Sequence, residues 1–485
     1  MSVTSFYFLI FTAVLLAVYY LVPERLRAAV LLAAGGFFVY FGGGFKALIL
    51  MALQCLIVWF LTARLSEAQG KIRTVLFVIS IALCLCPLIL LKYIGIQGFM
   101  APVGISYYSL SLVSMTADVY LGMGKAPGVS EALLFGSYFP ALTSGPILYY
   151  REDSGELLGL YAYSRENVLR GLQRMLWGLM KKLVISERLA VIAGAVFGEP
   201  ETYGAVWLII GTFSFSFQLY TDFSGCMDII LGLSEALGIH LPENFDRPFL
   251  SRTVAEYWRR WHMTLGAFMK NYLFYPLLRT RLFTGLNRKL KKSMGKKAGK
   301  TAVTALAMLV LWTAVGYWHG GDIKYVIGSG LLHWFYIVTG EIINPKFNKF
   351  WKRFSFGPDA PWLNALRVVR TFCLVSIGFV FFRADTAASA VVILKRIFTG
   401  ASGTGSWSDI GMAAKDTAVM LMFLLIMICI EFMADRCPGK DIRLKISGFR
   451  LPLRWTIWFA LIFSVIIFGK YGPGYDAAAF IYQEF

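Results

Sequence analysis

Charge is scarce in this sequence: Asp, Glu, Lys and Arg together supply 15% of 485 residues, against 58% hydrophobic. A soluble globular chain carries about a quarter charged residues, so the deficit excludes an ordinary water-soluble domain. A mean hydropathy of +0.64 places the chain in a membrane instead. Acids are the scarcer sign, 28 against 47 Lys and Arg, giving a net charge of +19. Histidine is scarcer still, with four copies at positions 240, 262, 319 and 333. The seven cysteines, at 55, 84, 86, 226, 373, 429 and 437, show no CxxC spacing. That argues against a disulfide framework or a zinc site and for small apolar side chains in packed helices. Neither His262 nor His319 stands in an HxxE or HxxxH pattern, so no metal centre is expected there, and no GxSxG elbow supports a serine triad. No internal repeat is visible, which removes the usual sign of a secondary transporter, the minor alternative for a chain with buried acids and histidines.

What is present are apolar runs long enough to cross a hydrocarbon core of about 30 Å. They cover residues 3–22, 45–65, 75–91, 301–318, 363–382, 419–433 and 453–468, with others interrupted by Gly, Ser or Pro. The expectation is an all-α polytopic membrane protein of ten to twelve spans, some broken or re-entrant, in one domain covering residues 1–485. Further spans occupy residues 400–485, and the first span reads as a retained helix rather than a cleaved signal. Between Arg279 and Lys300 stand nine Lys or Arg and no acid. Basic excess beside spans marks cytoplasmic loops, so residues 279–300 are expected inside, as are 64–73, 346–353 and 436–450, and both termini outside. Topology and attraction to anionic lipid account for the charge better than nucleic acid does, since no folded basic domain is large enough to hold it. A Gly-rich junction at residues 35–44 suggests close helix contacts or a break between spans.

Segments of mixed polarity follow. PVGISYYSLSLVSMTADVYLG, from Pro102 and carrying Asp118, and YFPALTSGP, from Tyr138, must be shielded by protein or line a wet cavity at membrane depth, which places both in the bundle core. Residues 151–188 read as a cytoplasmic loop and an interfacial amphipathic helix, with Arg165, Arg170, Arg174, Lys181 and Lys182 among Leu, Met and Trp. SFSFQLYTDFSGCMDIILG then carries Gln218, Asp222, Ser224 and Asp228 through an apolar context. An unpaired carboxylate there costs about 2.5–3.5 kcal/mol on insertion scales, so Asp222 and Asp228 either line a site or pair with an arginine such as Arg259 or Arg260.

The densest cluster of costly side chains is NFDRPFLSRTVAEYWRRWHMTLGAFMKNYLFYPLL, beginning at Asn244. Three- and four-residue spacing of Trp258, Trp261, His262 and Leu265 predicts one helix from Arg252 to Asn271 with an aromatic and histidine face. His319 ends an apolar run in LVLWTAVGYWHGG. A neutral imidazole can take a proton from a hydroxyl, burial favours the neutral form, tryptophans exclude water, and the two glycines would let a substrate come close. On residue types alone a packed or hydrogen-bonded histidine is the commoner reading of both positions.

Together EYWRRWHMTLGAFMKNYLFYPL and the later GYWHG resemble the signature of the membrane-bound O-acyltransferase family. VGISYYSLSLVSMTADVYLG, FPALTSGPILYYRE, YTDFSGCMDIILG, LPENFDRPF and VFFRAD follow the order of its bacterial branch, which serves alginate O-acetylation and teichoic-acid D-alanylation. The resemblance covers residues 4–400. It implies a helical bundle around a central funnel or tunnel, with His319 catalytic and His262 assisting. Trp258, Trp261, Trp318, Asn244, Asp222, Ser224, Arg259 and Arg260 are then expected to line the substrate path. It further implies an O-acyltransferase of the bacterial inner membrane, with no permanently bound cofactor. The acyl donor would be acetyl-CoA, or alternatively an acyl carrier protein thioester, on the cytoplasmic side. The acceptor would be an extracytoplasmic polysaccharide or cell-wall polymer, reached directly or through an SGNH-type partner, with D-alanyl transfer to teichoic acid as the alternative. Two departures stand out. Lys270, Asn271 and Tyr272 replace the family's Arg-Asp-Tyr, which removes the acid of any ion pair there. Trp334 stands where relatives carry glycine, so His333 is expected to pack differently.

Overall fold

The computed structural model describes residues 2–95, 102–143, 145–159, 161–354, 357, 360–407, 409–436 and 441–472; Ser144 of the YFPALTSGP segment and Cys437 lie outside them. Among the described residues the chain is helical throughout, and its β pairing amounts to isolated bridges at Tyr203–Thr404 and Phe245–Trp261. Among the described residues, seven helices are long and apolar enough to cross a membrane: Glu24–Glu67, Gly70–Ile94, Lys296–Gly320, Ile323–Trp351, Pro361–Arg383, Ala414–Asp435 and Leu451–Phe468. Ile323–Trp351 is a span that the apolar runs do not disclose, because two glycines, a histidine and Lys324 dilute its start. Seven is fewer than the ten to twelve expected, and two further helices miss the criterion for physical reasons. Phe6–Leu21 has 16 residues. Ala205–Ala236 has 32 residues, about 48 Å at 1.5 Å per residue, but is interspersed with polar side chains.

That polar helix is the axis of the molecule. It is buried along most of its length, and Arg165–Leu179 packs along it. Contact is close because glycines face one another: a Cβ on Gly171 would lie 2.3 Å from the Gly232 carbonyl oxygen, and one on Gly178 2.5 Å from that of Gly225. Arg165–Leu179 keeps an exposed polar face, as an amphipathic helix should, whereas the π-helical turn Met180–Ser186 after it is buried throughout. Lys181 and Lys182 are buried, because the carboxylates they neutralise stand on the polar helix. Helix Ile105–Tyr120 is buried on all sides, as its mixed polarity requires. In Arg27–Glu67 both readings of the Gly-rich junction hold: Gly44 breaks the helix at φ +71°, and a Cβ on Gly35 would strike the Ser137 carbonyl.

The basic stretch 279–300 is not a loop. Thr280 caps the amphipathic helix Arg281–Met294, and Gly295, at φ +84°, turns the chain into Lys296–Gly320. Phe283 packs against Val303 and Ala307, so the charges occupy one face of a helical hairpin whose other face is buried.

Candidate active site

His319 stands one residue before the end of Lys296–Gly320, where Gly321 at φ +75° closes the helix. Its imidazole is buried, edge-on to Trp318 (ring centroids 5.2 Å apart) and to Phe382 (5.6 Å). The two glycines after it do not make room for a substrate. A Cβ on Gly320 would lie 2.3 Å from the Tyr325 ring and one on Gly321 2.9 Å from Tyr93, so the space belongs to the protein's own aromatics. Trp318 is fastened from outside its helix: its carbonyl accepts from the Tyr93 hydroxyl at 2.9 Å and from Lys92 Nζ at 3.4 Å. Lys92 also donates to Ser106 Oγ at 2.9 Å and lies 5.7 Å from the Trp318 ring centroid.

His262 does not lie on a continuous helix. Val254–Arg260 ends at Trp261, whose extended backbone pairs with Phe245; the Asp246 N–H donates to the Arg260 carbonyl and the Met263 N–H to the Asn244 carbonyl. Met263–Phe268 then begins after His262, which adopts the left-handed conformation at φ +45°. Such a backbone costs a non-glycine residue about 1–3 kcal/mol and persists where the surroundings impose it. Here Asn244 imposes it, its Oδ1 accepting from His262 Nδ1 (3.2 Å), Thr264 N (3.1 Å) and Thr264 Oγ1 (2.9 Å). The three- and four-residue spacing therefore does not mark one helical face: Trp258 and Leu265 fall in different helices, and Trp261 and His262 lie between them, where the backbone pairs with LPENFDRPF.

Both histidines meet at Trp318. The His262 ring lies 5.8 Å from it in an edge contact, and Phe223 of the polar helix and Tyr107 of Ile105–Tyr120 complete the walls, at 5.0 Å from His262 and 5.8 Å from Trp318. The structure thus brings together His319, His262, Trp318 and Asn244. The other expected residues go elsewhere. Trp258 packs against Trp312 and His333 at 4.7 and 5.0 Å. Trp261 is enclosed by Phe245, Tyr220 and Phe379. Asp222 pairs with Lys182 at 2.8 Å, and Ser224 accepts from Lys181 at 2.8 Å. Asp228 takes Lys181 and Arg174 at 2.6 and 3.0 Å. The partners of these acids are therefore lysines and Arg174 rather than Arg259 or Arg260, because the helix carrying them lies alongside. Arg260 binds Glu256 and Asp435, each at 2.9 Å. Arg259 is exposed and lines a cleft of about 660 Å³ with Arg370 and Tyr336.

The missing acid near residue 271 is compensated: the Tyr272 hydroxyl donates to Asp118 Oδ1 at 2.9 Å, and Asp118 Oδ2 accepts the Arg151 N–H at 3.1 Å. His333 sits within the Trp258–Trp312 pair, while Trp334 turns away to donate to the Ala305 carbonyl at 2.8 Å. Lys92 and Tyr93 escaped the sequence reading. Their one signal was a lysine at the end of the apolar run LILLKYIG, which reads equally as a topological anchor.

A multi-pass, all-α membrane protein that buries two histidines against one tryptophan is the class that fold and site define. The chain belongs to the membrane-bound O-acyltransferase (MBOAT) family, whose model matches residues 45–381. It is 29% identical over 330 residues to the probable alginate O-acetylase AlgI of Pseudomonas fluorescens, covering 66% of this chain and 59% of that protein. It is 32% identical over 265 residues to the peptidoglycan O-acetyltransferase of Helicobacter pylori (54% and 45%). With the teichoic acid D-alanyltransferase of Streptococcus thermophilus it shares 27% over 354 residues (67% and 79%). The chain thus spans little more than half the length of the alginate O-acetylases it matches.

Proposed function

We propose that this protein transfers an acyl group, acetyl in our reading, from a cytoplasmic thioester to a hydroxyl of an extracytoplasmic polysaccharide or wall polymer, directly or by way of a partner enzyme. The observation that carries it is the convergence of His319 and His262 on Trp318 inside a membrane-embedded bundle. His319 takes the proton of the acceptor hydroxyl as its oxygen attacks the thioester carbonyl; the tetrahedral oxyanion collapses, the C–S bond breaks, and the leaving thiolate recovers the proton from the imidazolium. Lys92, the ammonium at the Trp318 carbonyl and ring, supplies positive charge beside the developing oxyanion. The exposed arginines Arg259 and Arg370 share one cleft and suit the phosphates of coenzyme A or of a carrier-bound pantetheine arm. A bacterial inner-membrane location is in keeping with the family, and the charge of the basic hairpin supports its placement on the cytoplasmic side.

His319→Ala is expected to abolish ester deposition on the surface polymer while the purified protein keeps its melting temperature; undiminished esterification would remove His319 from the chemistry. The match to the D-alanyltransferase, which spans 79% of that protein, favours a second reading in which a carrier protein delivers D-alanine. Mass analysis of the acid released by base from isolated polymer, with and without the protein, separates acetate from D-alanine.

A further inference from the structure

We infer that Asn244 is a positioning residue that fixes His262 as its Nδ1–H tautomer and makes Nε2 the proton-accepting nitrogen of that imidazole. The argument rests on the direction of each hydrogen bond around one amide. Asn244 is fully buried, and the orientation of its side chain is settled by Thr264, whose backbone N–H can only donate. The Thr264 hydroxyl agrees. Its oxygen accepts the Ile147 N–H at 3.1 Å, and its own hydrogen is free to go to Asn244 Oδ1 at 2.9 Å. Reversing the amide would set its NH2 group against the Thr264 N–H. The atom facing His262 Nδ1 at 3.2 Å is therefore an acceptor, and Nδ1 carries the hydrogen.

Two apolar rings lie against the imidazole. Phe223 lies at 5.0 Å and Trp318 at 5.8 Å, so the site offers little to stabilise an imidazolium, and the neutral ring keeps its lone pair on Nε2. The strained backbone at His262 belongs to the same device: with φ at +45°, the turn brings the imidazole and the Thr264 N–H to one oxygen. An orienting carbonyl behind an imidazole is the base-and-orienter logic of nucleophilic sites, here with a neutral amide in place of a carboxylate. Given the acyl-transfer reading of the site, Nε2 of His262 then accepts a hydrogen bond or a proton and does not donate one.

The tautomer can be read without knowing donor or acceptor. With four histidines in the chain, 13C,15N-histidine-labelled protein in lipid gives few signals, and those lost in His262→Gln belong to His262. The expected pattern is a protonated, pyrrole-type Nδ1 and an unprotonated, pyridine-type Nε2 at neutral pH; an Nε2–H tautomer or an imidazolium there would overturn the assignment. Activity supplies the second arm, measured as ester formed by membranes fed either acetyl-CoA or D-alanyl-loaded carrier protein. Asn244→Leu is expected to lose an order of magnitude or more in kcat with KM little changed, and Asn244→Asp, which restores the acceptor, to recover most of that loss. Wild-type rates in a folded Asn244→Leu would refute the positioning role. Should Asn244→Leu fail to fold, the wild-type spectrum and the Asn244→Asp spectrum decide, since both retain the acceptor. Wild-type membranes that consume neither donor would refute the acyl-transfer reading while leaving the tautomer result standing.

Discussion

Lys92 does two things with one ammonium: it holds the carbonyl of the residue before His319, and it places a positive charge beside Trp318. Tyr93 does only the first. A neutral hydrogen bond contributes about 1 kcal/mol and a charged one about 1.5–3 kcal/mol, so the two substitutions should differ in size. Tyr93→Phe is expected to slow ester formation roughly fivefold, and Lys92→Met by roughly tenfold to a hundredfold, with Lys92→Arg retaining part of the rate. Initial rates in membranes, alongside melting temperatures of the purified variants, check this; a Lys92→Met protein at the wild-type rate would leave the lysine a mere helix anchor. At this scale the sequence disclosed the histidines because four in 485 residues stand out and two sit in recognisable motifs. It did not disclose Lys92, because a basic residue closing an apolar run has a sufficient explanation in topology. It misplaced Asp222 and Ser224 because burial of a carboxylate demands a cation without saying which, and the lysines that answer lie on a segment whose charges looked superficial.

Among the elements, the short helix Tyr150–Leu158 supports the histidine turn from a distance. Asp153 accepts the Tyr149 N–H at 2.5 Å, and the Tyr149 hydroxyl donates to the Thr264 carbonyl, two residues from His262. Burial pushes the Asp153 carboxyl up to about 7, outweighing that hydrogen bond. A carboxyl whose folded pKa lies above its unfolded value makes the folded state bind more protons. Its stabilising effect is therefore complete at acid pH and declines as pH rises from about 4 to about 7. Asp153→Asn keeps an acceptor for the Tyr149 N–H and removes the buried charge, so its melting temperature should exceed the wild-type value at pH 8 by more than at pH 5. Equal differences at the two pH values would mean that the carboxyl titrates as an exposed group. Periodicity, which located most of the spans, could not find this support or the break at His262. Both depend on hydrogen bonds from residues remote in sequence or outside the repeating face, and a spacing rule counts positions along one chain segment only.

The whole molecule is held across its sequence by buried polar ties as much as by apolar contact, and the two C-terminal spans show it most clearly. They lie beyond the stretch matched by the family model, which ends at residue 381, yet they are not an appendage. Arg188 pairs with Asp416 at 2.9 Å and donates to the Phe468 carbonyl at 2.7 Å; the Tyr220 hydroxyl donates to Glu431 at 2.5 Å; Arg260 pairs with Asp435 at 2.9 Å; and the Lys470 N–H reaches the Leu183 carbonyl at 3.0 Å. Removing one partner of a fully buried charged contact costs about 3–5 kcal/mol, because the remaining group keeps its desolvation without its compensation; Asp416 and Asp435 are partly exposed, so solvent screens their pairs and the cost there is smaller. Cutting the chain after Gly400 would leave Arg188, Tyr220 and Arg260 without these partners at once. Even with that screening, the combined loss is a sizeable share of the stability of a typical domain, about 5–15 kcal/mol. A chain ending at Gly400 is therefore expected to give no monodisperse peak on fluorescence-detected size exclusion in detergent and no ester transfer, although every residue of the histidine site is present. Adding residues 401–485 back as a separate polypeptide should restore part of both, since the ties are non-covalent. A truncated protein that runs as a single peak with the wild-type melting temperature would show that the matched region folds alone and that the C-terminal spans merely lean on it.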